Sequence, residues 1–544
     1  PPTPTATPVP PTPTPTPTPT LKPGETPKPT PTATPVPTAT PTPVPTATPT
    51  PPPTKAAPTA TPTPAIKPAG TVIVVTPNVY YMNSIPRYCP ACSVTARTGT
   101  VEFLLQAKRN ADGTVGYENM LAESWKVAAD FKSIDFTVRK GIQFHKGWGE
   151  MTAEDVAWSW NDANPKTEPT SVHDTAGDIA SFLNKVDVVD KYTVRFQMAA
   201  FGGNMLLQYF TNFHEGIGIF SKKLFDSIGP EKMRDVLIGT GPFEMKEWTQ
   251  FKGSYVTAVP NHWRKTPYVA EVDTIEVPEG SVRRAMLEAG QAHIGSVPLS
   301  EWPKLFAAGL QKAPEGFPGS ATVCYSGNYW EKKHAKTGEA LTRPLENKPW
   351  IGNPDDPASM EKAKKVRQAL TLDIDREAIN KKVFGSFGKP VYAIAIDDTN
   401  PLYQKRWETV YDPVKAKQLL TEAGYPNGFK VDSYYTNPAG DIELGEAVGV
   451  TWKNDLNIDV TYDRQNYNTF RPSIVNRTFT GMFNGGCGGP GAFPPTWPYG
   501  LNSSSLTFPG GYSNGLEIPK FTETYFAMNG QPDEAKLVKA ITEL

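Results

Sequence analysis

Residues 271–297 read EVDTIEVPEGSVRRAMLEAGQAHIGSV. The stretch divides into a strand, a turn around Pro278 and Gly280, a helix, and a second short strand. That order is a βαβ-like unit, and a helical crossover of this length is what a parallel strand pair requires. Just upstream, VLIGTGPFEMKEW (236–248) sets Gly239, Gly241 and Pro242 ahead of another strand, punctuation typical of a crossing between domains. Further back, TVIVV (71–75) is a short β-branched run that reads as a buried strand.

The intervening region repeats the mixture. Ile134, Phe136 and Val138 alternate with polar residues, which predicts a strand. TAEDVAWSWNDA (152–163) opens on Thr152 with Asp155 three residues on, the pattern of a capping box, and Val156, Trp158 and Trp160 follow as buried mass. NKVDVVDKYTVRFQM (184–198) predicts two strands around an Asp190–Lys191 turn. Downstream, residues 359–385 read as two helices, the second capped by Asp375. In YDPVKAKQLLTEAGYPNGFKVDSYY (411–435), Asp412 caps a helix, Pro413 takes its first position and Gly424 stops it before a strand. The chain reads as α/β with mixed sheets and at least two lobes.

Composition bounds the function. The 544 residues carry a formal charge of -1, 38% hydrophobic residues and four cysteines. This fits two or three domains without a disulfide-dense scaffold. Near-neutrality argues against a nucleic-acid partner, which needs a clustered basic excess. No run of about 18 apolar residues occurs to span a membrane. Residues 1–68 hold roughly half of the 58 prolines and read as an extended Pro/Thr-rich spacer. At about 3.1 Å per residue it reaches on the order of 200 Å. The chain begins at Pro1 with no signal peptide, so an export signal or lipid-bearing cysteine is expected upstream.

NGGCGGPGAFPPTW (484–497) has five glycines and no charge. It lacks the lysine and the strand-to-helix setting of a phosphate cradle. A nucleophilic Cys487 would want a histidine, and none of the six stands in a recognisable hydrolase context. Cys89 and Cys92 form a C-x-x-C that alone indicates a local disulfide or two free thiols more readily than zinc. Glu150, Glu154 and Asp155 could supply a glycosidase pair on a stalk, yet their helix-start context accounts for them without catalysis. No catalytic residue, metal ligand or cofactor is assigned.

Six stretches taken together resemble the peptide/nickel-type (family 5) extracellular solute-binding proteins of ABC importers. They are LAESWKVAADFKSIDFTVRKGIQFHKG with MTAEDVAWSW, IGTGPFEMKEW, PNHWRKTPYVAEVDTIEV, KVRQALTLDIDREAI and YDPVKAKQLLTEAGYPNGF, in the family's order between about 71 and 544. The resemblance implies a periplasmic-binding-protein-like, type II fold: two hinged lobes with an extra small lobe inserted in the first. Lobe I would take 71–100 and 238–315, the inserted lobe II 101–237 and lobe III 316–544, after a disordered linker over 1–70. Family members continue past a helix like AKLVKAITEL, so a truncated C-terminus is expected. An extracytoplasmic, lipid-anchored, non-enzymatic receptor is implied, with a small-molecule solute and membrane permease subunits as partners. The rival readings are a stalk-tethered glycoside-active enzyme and a peptide-binding sensor or chaperone of the same fold.

The resemblance also implies a disulfide between Cys324, in ATVCYSGNYW, and Cys487. Such a bridge closes a loop of roughly 160 residues and stabilises by about 3–5 kcal/mol in the chain-entropy model. Where peptide-binding relatives carry an aspartate for the ligand's amino terminus, this chain has Gly489, and 484–500 contains no acid. An ammonium buried there unpaired is costly. The implied ligand-binding set is therefore Tyr80, Tyr81, Tyr329, Trp330, Tyr467, Gly488, Gly489, Phe493 and Trp497: aromatic faces and glycine backbone, suited to an oligosaccharide-like or other uncharged solute.

Overall fold

A computed structural model of the chain describes residues 66–544 except 80–83, 89–98, 111–114, 174, 203–204, 214–215, 314–320, 335–337, 344–346, 394–395, 397, 399–401, 436–440, 466–471, 475, 485–514, 519–522, 525–532 and 544. In chain order the described strands begin with β1 (Thr71–Thr76), β2 (Leu105–Arg109), β3 (Val115–Asn119), β4 (Ala122–Val127) and β5 (Ser133–Val138). They continue with β6 (Gln143–Phe144), β7 (Gly149–Glu150), β8 (Leu183–Asp190), β9 (Thr193–Met198), β10 (Phe243–Thr249) and β11 (Gly253–Ala258). The last are β12 (Glu271–Glu276), β13 (Ile294–Gly295), β14 (Val323–Tyr325), β15 (Lys430–Tyr435), β16 (Asp459–Arg464) and β17 (Met482–Asn484).

The predicted βαβ unit is present, with a refinement. β12 leads through the helix Gly280–Glu288 to β13, and both strands pair in parallel with β1, which lies between them. The first sheet runs β10-β11-β12-β1-β13, with β10 and β11 antiparallel at its edge. The crossover thus skips one strand position and leaves a slot for the chain's first strand. Within β1 only Val75 is fully buried, the other valines and Ile73 being half-covered.

The second large sheet runs β14-β17-β15-β16. β15 pairs in parallel with both β16 and β17, whereas β14 is antiparallel to β17. The helix before β15, Pro413–Glu422, is built as its sequence dictates. Asp412 accepts a hydrogen bond from the Lys415 amide at 2.8 Å, Pro413 starts the helix and Gly424 follows it at φ +85°. Asp375 accepts from the Ala378 amide at 2.9 Å and starts the helix Arg376–Lys382. Trp350, Val366, Leu370, Leu420, Trp452 and Ile458 form the core between this sheet and its helices.

Inserted in sequence between β1 and β10 of the first sheet lies an antiparallel meander, β4-β5-β9-β8, with the β2-β3 hairpin. Ile134, Phe136 and Val138 alternate inward on β5 and are completely buried. Phe136, Phe196, Phe210 and Trp160 pack ring on ring with centroids 4.4–5.3 Å apart. The Thr152–Asp155 box forms: the Thr152 amide donates to Asp155 Oδ2 at 2.8 Å. Trp158 departs from expectation; it is only half-buried, lying on Phe225 at the surface-facing side of its helix.

Two chain passes, 99–102 and 239–243, join the meander to the first sheet. The Gly241 amide donates to Thr100 O at 2.9 Å, and a Cβ on Gly239 would lie 2.1 Å from that same oxygen. Glycine is required there because the backbones approach too closely for any side chain.

Candidate functional site

In open sheets with parallel strands, ligands bind outside the carboxyl ends of those strands. Applied here, the rule selects the loops after β1, β12 and β13 on one sheet, and after β15, β16 and β17 on the other. Of the first three loops, those after β12 and β13 are held by Arg283, which is 2% exposed. Its guanidinium donates to Val277 O and Pro278 O, each at 2.6 Å, and its Nε donates to Ser296 O. Burial holds this guanidinium below its usual range, against the carboxylates of Glu279 and Glu443. Glu276 accepts from the Val79 amide at 2.9 Å and so fixes the start of the loop after β1.

Glu443 is the informative neighbour. It sits in the first turn of the helix Asp441–Leu456, which follows the carboxyl end of β15. Its field reaches Arg283 at the carboxyl edge of the other sheet.

The expected ligand residues distribute unevenly over this frame. Tyr80 and Tyr81 follow β1, Tyr467 follows β16, and Gly488, Gly489, Phe493 and Trp497 follow β17, each beyond a parallel carboxyl end; all seven lie outside the described residues. Tyr329 and Trp330 are placed differently. Because β14 is antiparallel to β17, pairing Val323 with Asn484 and Tyr325 with Met482, the chain after β14 emerges at the amino ends of β15–β17. Gly327 there packs against Thr480, which precedes β17.

Tyr329 is 0% exposed and shows no face to solvent, which corrects its assignment as an open platform. Its ring lies 5.3 Å below the guanidinium of Arg477, and burial raises its phenol far above the ordinary range. Trp330 donates Nε1–H to Gly352 O at 3.1 Å, with Arg367 over its ring at 5.8 Å. Both rings brace the sheet end opposite the selected loops. Sequence reasoning placed them by proximity to Cys324, and strand direction, which that reasoning did not include, carries them away.

Around Tyr329 the structure holds a buried ion pair. Arg477 Nε and Nη2 donate to the two oxygens of Glu517 at 2.6 and 2.8 Å; the side chains are 6% and 0% exposed. Arg477 also donates to Thr342 O, and Glu517 accepts from the Glu331 amide at 2.8 Å. Cys324 is disulfide-bonded. Its expected partner Cys487 lies outside the described residues, shortly past Asn484, the β17 residue in register with Val323. Mass spectrometry of a non-reduced digest should return a Cys324–Cys487 cross-linked peptide; a Cys324 cross-link to Cys89 or Cys92 instead would refute the pairing.

Comparison with known proteins agrees with this geometry. The family described as "Bacterial extracellular solute-binding proteins, family 5 Middle" matches residues 116–507. Heme-binding protein A of Haemophilus influenzae is 28% identical over 344 residues, 59% of this chain and 56% of that protein. The dipeptide-binding protein of Escherichia coli is 26% identical over 367 residues, 63% of this chain and 60% of its own length. The chain thus spans under two thirds of the curated relatives it matches. Among solved structures, the periplasmic binding protein DppA of Helicobacter pylori, in complex with the peptide STSA, superposes with a TM-score of 0.66 at 20% identity. That match covers 87% of this chain and 89% of the other. The oligopeptide-binding protein AppA of Bacillus subtilis, holding a nonapeptide, gives 0.65 at 19%, covering 88% and 90%. These superpositions establish an α/β fold of the type II periplasmic-binding-protein kind.

Proposed function

We propose, from the premise that this chain belongs to the family 5 bacterial extracellular solute-binding proteins, that it is the extracytoplasmic receptor of an ABC importer. It captures a peptide-sized or oligosaccharide-like solute and delivers it to a membrane permease. The observation that carries the reading is the presence of two separate sheets with parallel strands, β12-β1-β13 and β17-β15-β16, each ending in carboxyl-end loops of the kind that hold ligands. A solute seated between them touches loops from both sheets, so closure is favoured by the contacts it gains only when the two approach.

In this reading lobe I comprises 71–100 and 238–315, lobe II is the inserted 101–237, and lobe III is 316–544. The Pro/Thr-rich segment 1–70 is the tether that keeps the receptor near its permease and raises its local concentration. The ligand set is Tyr80, Tyr81, Tyr467, Gly488, Gly489, Phe493 and Trp497. Because Gly489 offers no carboxylate, the solute is one without a free ammonium at that point.

Isothermal titration against a panel of neutral oligosaccharides, N-acetylated peptides and the same peptides with free amino termini tests this. Blocked or neutral solutes should bind at least about 10-fold more tightly than free-amine peptides, a difference of about 1.4 kcal/mol. Equal or tighter binding of the free-amine series would overturn the neutral-solute reading, and shortening of any oligosaccharide during incubation would overturn the receptor reading.

A further inference from the structure

The chain passes from the first sheet to the second between β13 and β14. On that pass, soon after the carboxyl end of β13, stand the single turn Leu299–Glu301 and the short helix Trp302–Ala307. Arg283 fixes the start of the segment through Ser296 O. Trp302 and Leu305 pack into the core that holds Val75, Leu287 and Val297. The second sheet's core reaches out to meet them. Ile379 is buried in that core, and Val383 and Phe384 pack against it just past the helix Arg376–Lys382. Gly385 and Ser386 then turn the chain at φ +58° and +66°.

That turn presents Phe387 to the other core. Its ring lies 5.2 Å from that of Trp302 and 5.6 Å from that of Phe306, and those two lie 5.8 Å from each other. All three separations are those of attractive tilted or edge-on ring pairs. Phe306 and Phe387 lie outside both cores and remain 36% and 43% exposed. The turn is built to hold the contact. Ser386 carries a side chain in a conformation uncommon outside glycine, and its amide donates to Asn380 O at 2.9 Å while the Gly388 amide donates to Asn380 Oδ1 at 3.1 Å. A Cβ on Gly385 would lie 3.1 Å from Leu299 O and 3.2 Å from the Phe387 ring, so glycine lets backbone and ring close up there.

We propose that Trp302, Phe306 and Phe387 form an aromatic clasp that draws the second sheet's core toward the carboxyl edge of the first, and so adds to the affinity for the solute. The inference rests on the receptor reading above. The rings meet on the segment after β13, one of the loops where ligands are held, so their contact favours the closed arrangement. Because two of the three rings keep a side in water, the clasp opens without breaching either core.

The test uses the whole chain and Phe387→Ala, with Phe387→Tyr as the variant that keeps the ring. Without solute, hydrogen exchange in residues 299–309 should run about 10-fold faster in Phe387→Ala and at the wild-type rate in Phe387→Tyr. Small-angle scattering should give a larger radius of gyration for Phe387→Ala alone. Toward the neutral oligosaccharides and N-acetylated peptides of the panel above, Phe387→Ala should bind about 10-fold more weakly and Phe387→Tyr as the wild type does. Unchanged exchange across the contact, or an unchanged radius, overturns the clasp. Faster exchange with undiminished affinity overturns its part in solute binding. If no panel member binds the wild type, the neutral-solute reading falls, while exchange and scattering still decide the clasp.

Discussion

Arg477→Ala is expected to destabilise the protein by about 3–5 kcal/mol, the cost of leaving a buried charge without its partner. Glu517 is wholly buried, and among the described residues its hydrogen bonds besides that from the Glu331 amide come from Arg477. Truncation also removes the cation over the Tyr329 ring and the donor to Thr342 O. Urea unfolding with a shared slope measures the loss. Replacing both partners together, Arg477→Met with Glu517→Leu, should recover much of it, since no charge is then left stranded. A single Arg477→Ala variant within about 1 kcal/mol of wild type would show that the pair is solvated and carries no such role.

Glu102→Ala is the second large effect, about 3–5 kcal/mol by the same reasoning. The Glu102 carboxylate, 1% exposed, accepts from Thr240 Oγ1 at 3.0 Å, Trp263 Nε1 at 2.9 Å and Arg264 Nε at 2.7 Å. These donors hold together the two chain passes between the meander and the first sheet. His145 works on the same crossing. Its Nε2–H donates to Gly241 O at 2.8 Å, while its Nδ1 accepts from the Gly239 amide.

Acid should weaken this crossing twice. Burial holds the His145 imidazole below its usual range, so its contribution is complete above the unfolded histidine value, near 6.5, and fades as pH falls beneath it. Burial alone would raise Glu102, but His262, Arg264 and Trp263 together hold its carboxyl below the usual range. Its contribution is complete above the ordinary glutamate value and is lost as pH falls through the lower, folded one. Stability measured from pH about 7 down to about 4 should therefore fall less steeply in His145→Gln than in wild type. Parallel pH profiles would exclude His145 from the acid response.

Much of the local structure was legible from residues alone because its causes are local. The Thr152–Asp155 box, the Asp375 and Asp412 caps and the glycine after the helix Pro413–Glu422 depend on groups within four residues of one another. The alternation of Ile134, Phe136 and Val138 declares a strand whichever sheet receives it. The parts that escaped depend on partners far away in sequence. Arg477 and Glu517 are forty residues apart, and neither has a local pattern that names the other. Phe387 reads as an ordinary aromatic residue past a helix end until Trp302 and Phe306 are brought against it.

The amino-acid order by itself determined the helices, the strands and the βαβ alternation, since each rests on periodicity, capping or a run of adjacent residues, and six of its stretches carried the resemblance to the family. Tertiary structure alone decided that β1 lies between β12 and β13 and that β14 runs against β17. The second of these sends Tyr329 and Trp330 to the far end of their sheet, away from the loops after β15, β16 and β17. Strand direction is set by which edges pair across hundreds of residues, and side-chain alternation is the same whether a strand runs up or down.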